Sequence, residues 1–283
     1  VLTHNVDAGG DAAVNDGERS SDPPVHNELS GSPQGPVVQA SSVGQIHFHD
    51  HPSYPVPSQL PPPPGFFTSR DRELAQLENW FGEDSGRPLL AVISGPGGVG
   101  KTTLALRWLH DVRQHFPGGQ LYVNLGAFSG NRPTPPEEVL EWFLLALGLP
   151  ADRVPPGLPQ REALYRSFTA DRAVAVLLDD ALSVAQVRPL LPASQRSVVV
   201  VTSRWRLAGL RTGGARFIAA NPMDVTDSVK LLNRLIDDER PVREHGQAEE
   251  LARLCGGMPI ALSVIGARLV AHPNRPLASE VGN

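Results

Sequence analysis

Residues 88–104 read PLLAVISGPGGVGKTTL: an apolar run, a glycine-rich turn and the opening of a helical pattern, end to end. This order restricts the fold more than any other feature of the chain. The turn Gly95-Pro96-Gly97-Gly98-Val99-Gly100-Lys101-Thr102 satisfies G-x-x-x-x-G-K-[ST] in full and sits between a predicted strand and a predicted helix, where a phosphate cradle has to be. Glycines let successive backbone N–H groups turn inward on phosphate oxygens, and the helix N-terminus adds its positive end. Lys101 is placed to neutralise the outer phosphates, and the Thr102 hydroxyl offers a ligand to Mg2+. Gly95, Gly97, Gly98, Val99, Gly100, Lys101, Thr102 and Thr103 are therefore the candidate phosphate-binding residues. A glycine-rich turn that matches by chance is the bland alternative, and both flanks argue against it.

The pattern that begins there continues as strand and helix in alternation. FFTSRDRELAQLENWF carries Leu74, Leu77, Trp80 and Phe81 at helical spacing behind a cap-like Ser69 or Thr68, which predicts an amphipathic helix. Strands are predicted at QLYVNLG (120–126), AVAVLLDD (173–180), SVVVVTSR (197–204) and, more weakly, ARFIAA (215–220). Helices are predicted at 102–112, at 135–148, opened by proline and closed by glycine, and at 161–170. Continuous apolar strands separated by helices imply strands buried on both faces, so residues 66–221 are expected to form a P-loop domain of the α/β class, a three-layer parallel sheet. After residue 222 three helical patterns follow without strands, which predicts a small helical subdomain over 222–283. No internal repeat is visible.

Two further groups belong with the loop. Asp179 and Asp180 end the run AVAVLL, at the strand tip where ligands of open α/β sheets gather. Asp179 is the candidate for the Mg2+ sphere through water, and Asp180 is placed to orient or deprotonate an attacking water. An acid pair that merely starts a loop is the alternative. Aspartate at the second place is one methylene shorter than the glutamate of many fast ATPases, so slow turnover is expected. Arg204, after VVVVTS, can reach a γ-phosphate and report its presence; Arg206 and Arg211 follow it, so a surface charge is the competing reading. In chain order an extra strand, 120–126, separates the lysine loop from the aspartate strand, as in the ATPase branch with an inserted sensor strand. No N-K-x-D motif is present, so adenine is favoured over guanine and ADP or ATP with Mg2+ is the implied cofactor set.

Composition bounds the rest. At 283 residues and 40% hydrophobic content the chain can bury a sizeable core. A net charge of −5 argues against a dominant nucleic-acid footprint, without excluding a DNA-binding domain elsewhere. No apolar run approaches the roughly 18 residues of a membrane span and no leader pattern opens the chain, so a cytoplasmic location is expected. The single cysteine, Cys255, forms no intrachain disulfide and reads as a small core residue. Residues 1–65 hold eleven of the 28 prolines and only two aromatics, which predicts a largely disordered tail with Pro61–Pro64 as a stiff spacer. Within it, alternation puts His47, His49 and His51 on one face of a short strand; a pairing strand, a plain linker and a metal site are all open. The chain starts at Val1 and stops just after a helical pattern, so a fragment of a longer protein is expected.

Aligned in order, GPGGVGKTT, AVLLDD and VVVVTSR resemble the nucleotide-binding module of the NB-ARC type, in the STAND class of signal-transducing ATPases. FFTSRDREL is similar to the family's leading aromatic-x-Gly-Arg-x-x-Glu motif, and CGGMPIAL (255–262) to its G-L-P-L motif. GQLYVNL, QVRPLLP and VTSRWRLAGL look like the bacterial regulators of the class. The resemblance covers about residues 66–275. It implies that Thr68 and Arg70 meet the adenine, that Pro259 packs on the base or ribose from the helical side, and that a winged helix would come next. Ser69 stands where the family has glycine, a departure at a position where backbone freedom matters.

The resemblance implies a switch that rests with ADP, exchanges it for ATP, hydrolyses slowly, and recruits protein partners or self-associates in the ATP state. The alternative is an interaction module that keeps ADP as a structural ligand without turnover. A small-molecule kinase fits poorly, because no arginine-rich lid follows the aspartate strand.

Overall fold

The computed structural model describes residues 55–83, 86–128 and 132–281. The segment with His47, His49 and His51, and with it the metal reading, lies outside the described residues. In chain order the sheet region contains α1 (Asp71–Phe81), β1 (Leu89–Ser94), α2 (Lys101–Val112), β2 (Gln120–Asn124), α3 (Pro136–Ala146), α4 (Leu158–Thr169), β3 (Ala175–Asp179), the one-turn α5 (Val184–Val187), β4 (Val198–Ser203) and β5 (Arg216–Ala219). Then come α6 (Val225–Ile236), the one-turn α7 (Arg240–Arg243), α8 (His245–Leu254), α9 (Pro259–Ala271) and the short α10 (Ala278–Val281).

The five strands pair in parallel in the order β2-β3-β4-β1-β5. Pleating explains why their sequences are apolar throughout rather than alternating. Val92, Leu178, Val199 and Val201 face one side, where Leu140 and Phe143 of α3 and Tyr165 of α4 close over them. Ile93, Leu177, Val198 and Val200 face the other, against Leu77 of α1 and Leu104, Trp108 and Leu109 of α2. This is the three-layer α/β sheet expected from the strand pattern. Trp108 is buried and donates its indole N–H to Glu78 (3.2 Å), which joins α2 to α1.

In space the strand inserted between β1 and β3 is β4, and β2 takes the edge. Chain order alone does not reveal this, because parallel connections skip over neighbours. The consequence is functional: Ser94 at the tip of β1 pairs with Ser203 at the tip of β4, so Arg204 emerges beside the glycine-rich turn.

An edge strand presents unpaired backbone groups. Residues 57–61, which composition groups with the proline-rich tail, run along this edge. Gln120 N–H donates to Pro57 C=O (2.7 Å), Gln59 N–H donates to Gln120 C=O (3.0 Å), and the His110 ring bonds Pro61 C=O (2.8 Å).

The start of α1 departs from the sequence reading. Its N-cap is Arg70, in the left-handed region with φ 75°, and no side chain caps the helix. Neither Ser69 nor Thr68 does so, because both side chains serve elsewhere: Thr68 is buried in the wall of a cleft, and the Ser69 hydroxyl engages Asp227 on α6.

Helices α6, α8 and α9 enclose a core of their own around Leu232, Leu251, Leu262 and Leu269. Asp224 caps α6 by accepting from Asp227 N–H (2.7 Å), and Pro259 opens α9 in the first helical turn. Cys255 packs against this core; burial raises its thiol pKa, which suits a packing residue rather than a nucleophile. Among the described residues no helix is long and apolar enough to cross a membrane.

Candidate functional site

The glycine-rich turn links the tip of β1 to α2 and is anchored at both ends. Gly95 N–H donates to Ser203 C=O (3.2 Å), and Val99 is fully buried beneath the turn. Gly98 and Gly100 have φ of 78° and 92°, backbone that an L side chain adopts only with strain. Lys101 curls back so that its ammonium donates to Gly95 C=O (3.0 Å) and Pro96 C=O (2.9 Å). Desolvation and then the charge of Arg204 lower its pKa, partly offset by Asp180 and Asp179. The positive charge is thus disfavoured as it stands, and an anion seated in the turn would compensate it.

Beyond the lysine lies a cleft of about 320 Å3 whose walls include Lys101, Thr102, Asp179, Asp180 and Arg204. Thr102 Oγ1 donates to Asp179 Oδ1 (2.7 Å), so the two oxygen ligands expected for Mg2+ already meet. Mg2+ is bound with one or two protein oxygens plus phosphates and water, and this pair fits that demand. Thr202 supports both acids. Its hydroxyl donates to Asp179 and accepts from Asp180 N–H (2.9 Å). Asp180 is left-handed, φ 53°, a conformation aspartate tolerates, and its Oδ2 accepts from Phe128 N–H (2.9 Å). Arg204 lies with its guanidinium 3.8 Å from the Phe128 ring centroid.

A separate, largely apolar slot of about 180 Å3 is walled by Phe67, Thr68, Val99, Leu231, Leu235 and Pro259, with Gly100 and Thr103 of the turn and α2 also lining it. Among the described residues the Thr68 hydroxyl, buried there, has no partner, a polar group that the edge of a flat base can satisfy. Arg70 also lines the slot, yet its guanidinium is committed to Val99 C=O (3.0 Å), Asn221 C=O (2.6 Å) and Glu73 (3.0 Å). It braces the wall. Pro259 and Ile260 bring the start of α9 against the turn: Ile260 N–H donates to Gly98 C=O (3.3 Å), and a third cleft runs between them.

The candidate nucleotide-binding residues Thr68, Arg70, Gly95–Thr103, Asp179, Asp180, Arg204 and Pro259 therefore gather around one turn. Three that carry the geometry have no motif to announce them. Thr202 was visible only as part of the Thr202-Ser203-Arg204 tip, Phe128 stands in a loop with no pattern, and Ile260 reads as an ordinary helical residue.

The family model described as the AAA ATPase domain matches residues 67–254. The chain belongs to that family. Among its relatives is the regulatory protein AfsR of Streptomyces coelicolor, 41% identical over 222 residues, 76% of this chain and 22% of the relative. A probable disease resistance RPP8-like protein 2 of Arabidopsis thaliana is 27% identical over 216 residues, 70% of this chain and 22% of the relative. The chain thus spans about a fifth of the curated relatives it matches. Among solved structures, a STAND protein with a tetratricopeptide repeat sensor from Pyrococcus horikoshii superposes with a TM-score of 0.51 at 20% identity, covering 80% of this chain and 34% of that one. That likeness is one of fold. The resemblance to STAND-class modules agrees with this AAA ATPase domain and with its regulatory relatives.

Proposed function

We propose that this AAA ATPase domain is the nucleotide-dependent switch of a larger regulator, holding ADP at rest, exchanging it for ATP and resetting by slow hydrolysis. One observation carries the reading: the slot and the phosphate turn are built jointly by the sheet layer and by α6 and α9, so an occupant ties the two layers together. In this reading the base lies in the slot against Thr68 and Pro259, with Arg70 bracing the wall. The phosphates lie in the turn Gly95–Thr103, neutralised by Lys101. Mg2+, when bound, would be held by Thr102 and Asp179 and would supply charge neutralisation between the outer phosphates. Asp180 orients a water, and Arg204 senses the terminal phosphate. Protein partners or self-association in the ATP state, and a cytoplasmic setting, belong to the same proposal.

A second reading, ADP kept as a structural ligand, is favoured by the Phe128 N–H that already occupies one oxygen of Asp180. Phosphate release separates the two. The wild type is expected to release phosphate slowly and Asp180→Asn to fall to background; equal background release from both leaves the structural ligand. Lys101→Ala is expected to abolish nucleotide binding by calorimetry in either case, and undiminished binding would refute the assignment of the turn.

A further inference from the structure

Arg204 is held unusually for an arginine at the mouth of a phosphate turn. Among the described residues its guanidinium has no hydrogen-bond acceptor and no carboxylate partner, although Asp179 and Asp180 share its cleft. What holds it is apolar and flat. The Phe128 ring centroid lies 3.8 Å from Arg204 Cζ, and Gly97 is so close that a Cβ there would lie 3.3 Å from the same atom. The guanidinium thus rests on an aromatic face with bare backbone close by, and among the described residues its N–H groups meet no acceptor. Stacking of this kind orients a cation without consuming its donors.

We propose that Phe128 is the positioning residue that makes Arg204 a reader of the terminal phosphate, and so sets the preference for ATP over ADP. The ring does two things at once. It keeps the guanidinium from being captured by the two neighbouring carboxylates, which would cancel its charge. It also presents the free N–H edges toward the cleft that Lys101 and Thr102 line, where a terminal phosphate of a triphosphate can meet them and a diphosphate cannot. The same residue's N–H holds Asp180, so one short loop sets the position of both groups that face the outer phosphate. This inference rests on the nucleotide reading above.

The test is calorimetric titration of the full chain with ADP and with a non-hydrolysable ATP analogue, Mg2+ present. Phe128→Leu keeps the apolar bulk and removes the π-face, and the ratio of ATP-analogue to ADP affinity is expected to fall about fivefold. Phe128→Tyr restores the ratio. In an Arg204→Ala background Phe128→Leu has no further effect, a coupling that a merely structural role would not produce. Phe128→Met, a second apolar side chain without a π-face, lowers the ratio as well and serves if Phe128→Leu is poorly folded. An unchanged ratio in Phe128→Leu, or the same loss with Arg204 absent, overturns the proposal while leaving nucleotide binding intact. A wild type that binds neither nucleotide refutes the underlying reading, and the role of Phe128 with it.

Discussion

Two consecutive residues before α1 are left-handed without being glycine: Ser69 at φ 62° and Arg70 at φ 75°. Such a turn costs an L residue about 1 kcal/mol or more each, and something must compensate it. At Ser69 the hydroxyl does so, holding the Asp227 carboxyl below the usual aspartate range, helped by Lys230. The family's glycine would remove the strain but also the bond. Because the folded-state pKa of Asp227 is depressed, its contribution is fully present above the ordinary value of 3.8 and is lost as pH falls through the lowered one. Ser69→Gly is therefore expected to melt close to wild type at neutral pH and above it below that ordinary value; a difference independent of pH would contradict this. Thr202 offers a second case. Buried to 1% exposure, its hydroxyl bonds both acids, and Thr202→Val leaves the Asp180 N–H without its acceptor and takes away one of the two hydroxyls that donate to Asp179 Oδ1. Urea unfolding should show a loss of about 1–3 kcal/mol. Such residues were not legible beforehand: a threonine in an apolar strand reads as β propensity, and only its position in the sheet makes it the support of the acid pair.

At the scale of elements the contact that matters is α9 on the phosphate turn. Gly98 has φ 78°, and any Cβ there would penetrate Ile260 Cγ2, so the turn needs glycine for two independent reasons. Gly98→Ala is expected to lift the start of α9 from the turn. Hydrogen exchange should show lost protection over residues 258–262 together with loss of nucleotide binding, and retained protection would place the anchor of α9 elsewhere. The turn itself, the helix behind it and the proline that opens α9 were all readable, since each obeys a local rule of glycine, cap or period. Their meeting was not, because Gly98 and Ile260 are far apart in the chain and no local rule links them.

Across the molecule, the edge of β2 is met by residues 57–61, and among the described residues no sixth strand pairs with it. A chain lacking residues 1–60 should expose that edge, melt lower and scatter more light on standing, since unpaired strand edges template association. An equally stable and monodisperse product would show that the strap is dispensable. Composition groups these residues with the proline-rich tail 1–65, because prolines and small polar residues look alike whether they are solvated or laid along an edge.

What the sequence determined by itself was the local and the periodic. Apolar runs, glycines before a lysine and acids at a strand tip are enough to specify a parallel sheet with a phosphate turn, since each depends on residues close together in the chain. Only the tertiary structure decided that β4 lies beside β1, that Phe128 stacks on Arg204, and that Ile260 closes on Gly98. Those contacts join distant segments, and their energy comes from shape and burial, which no short stretch of sequence encodes.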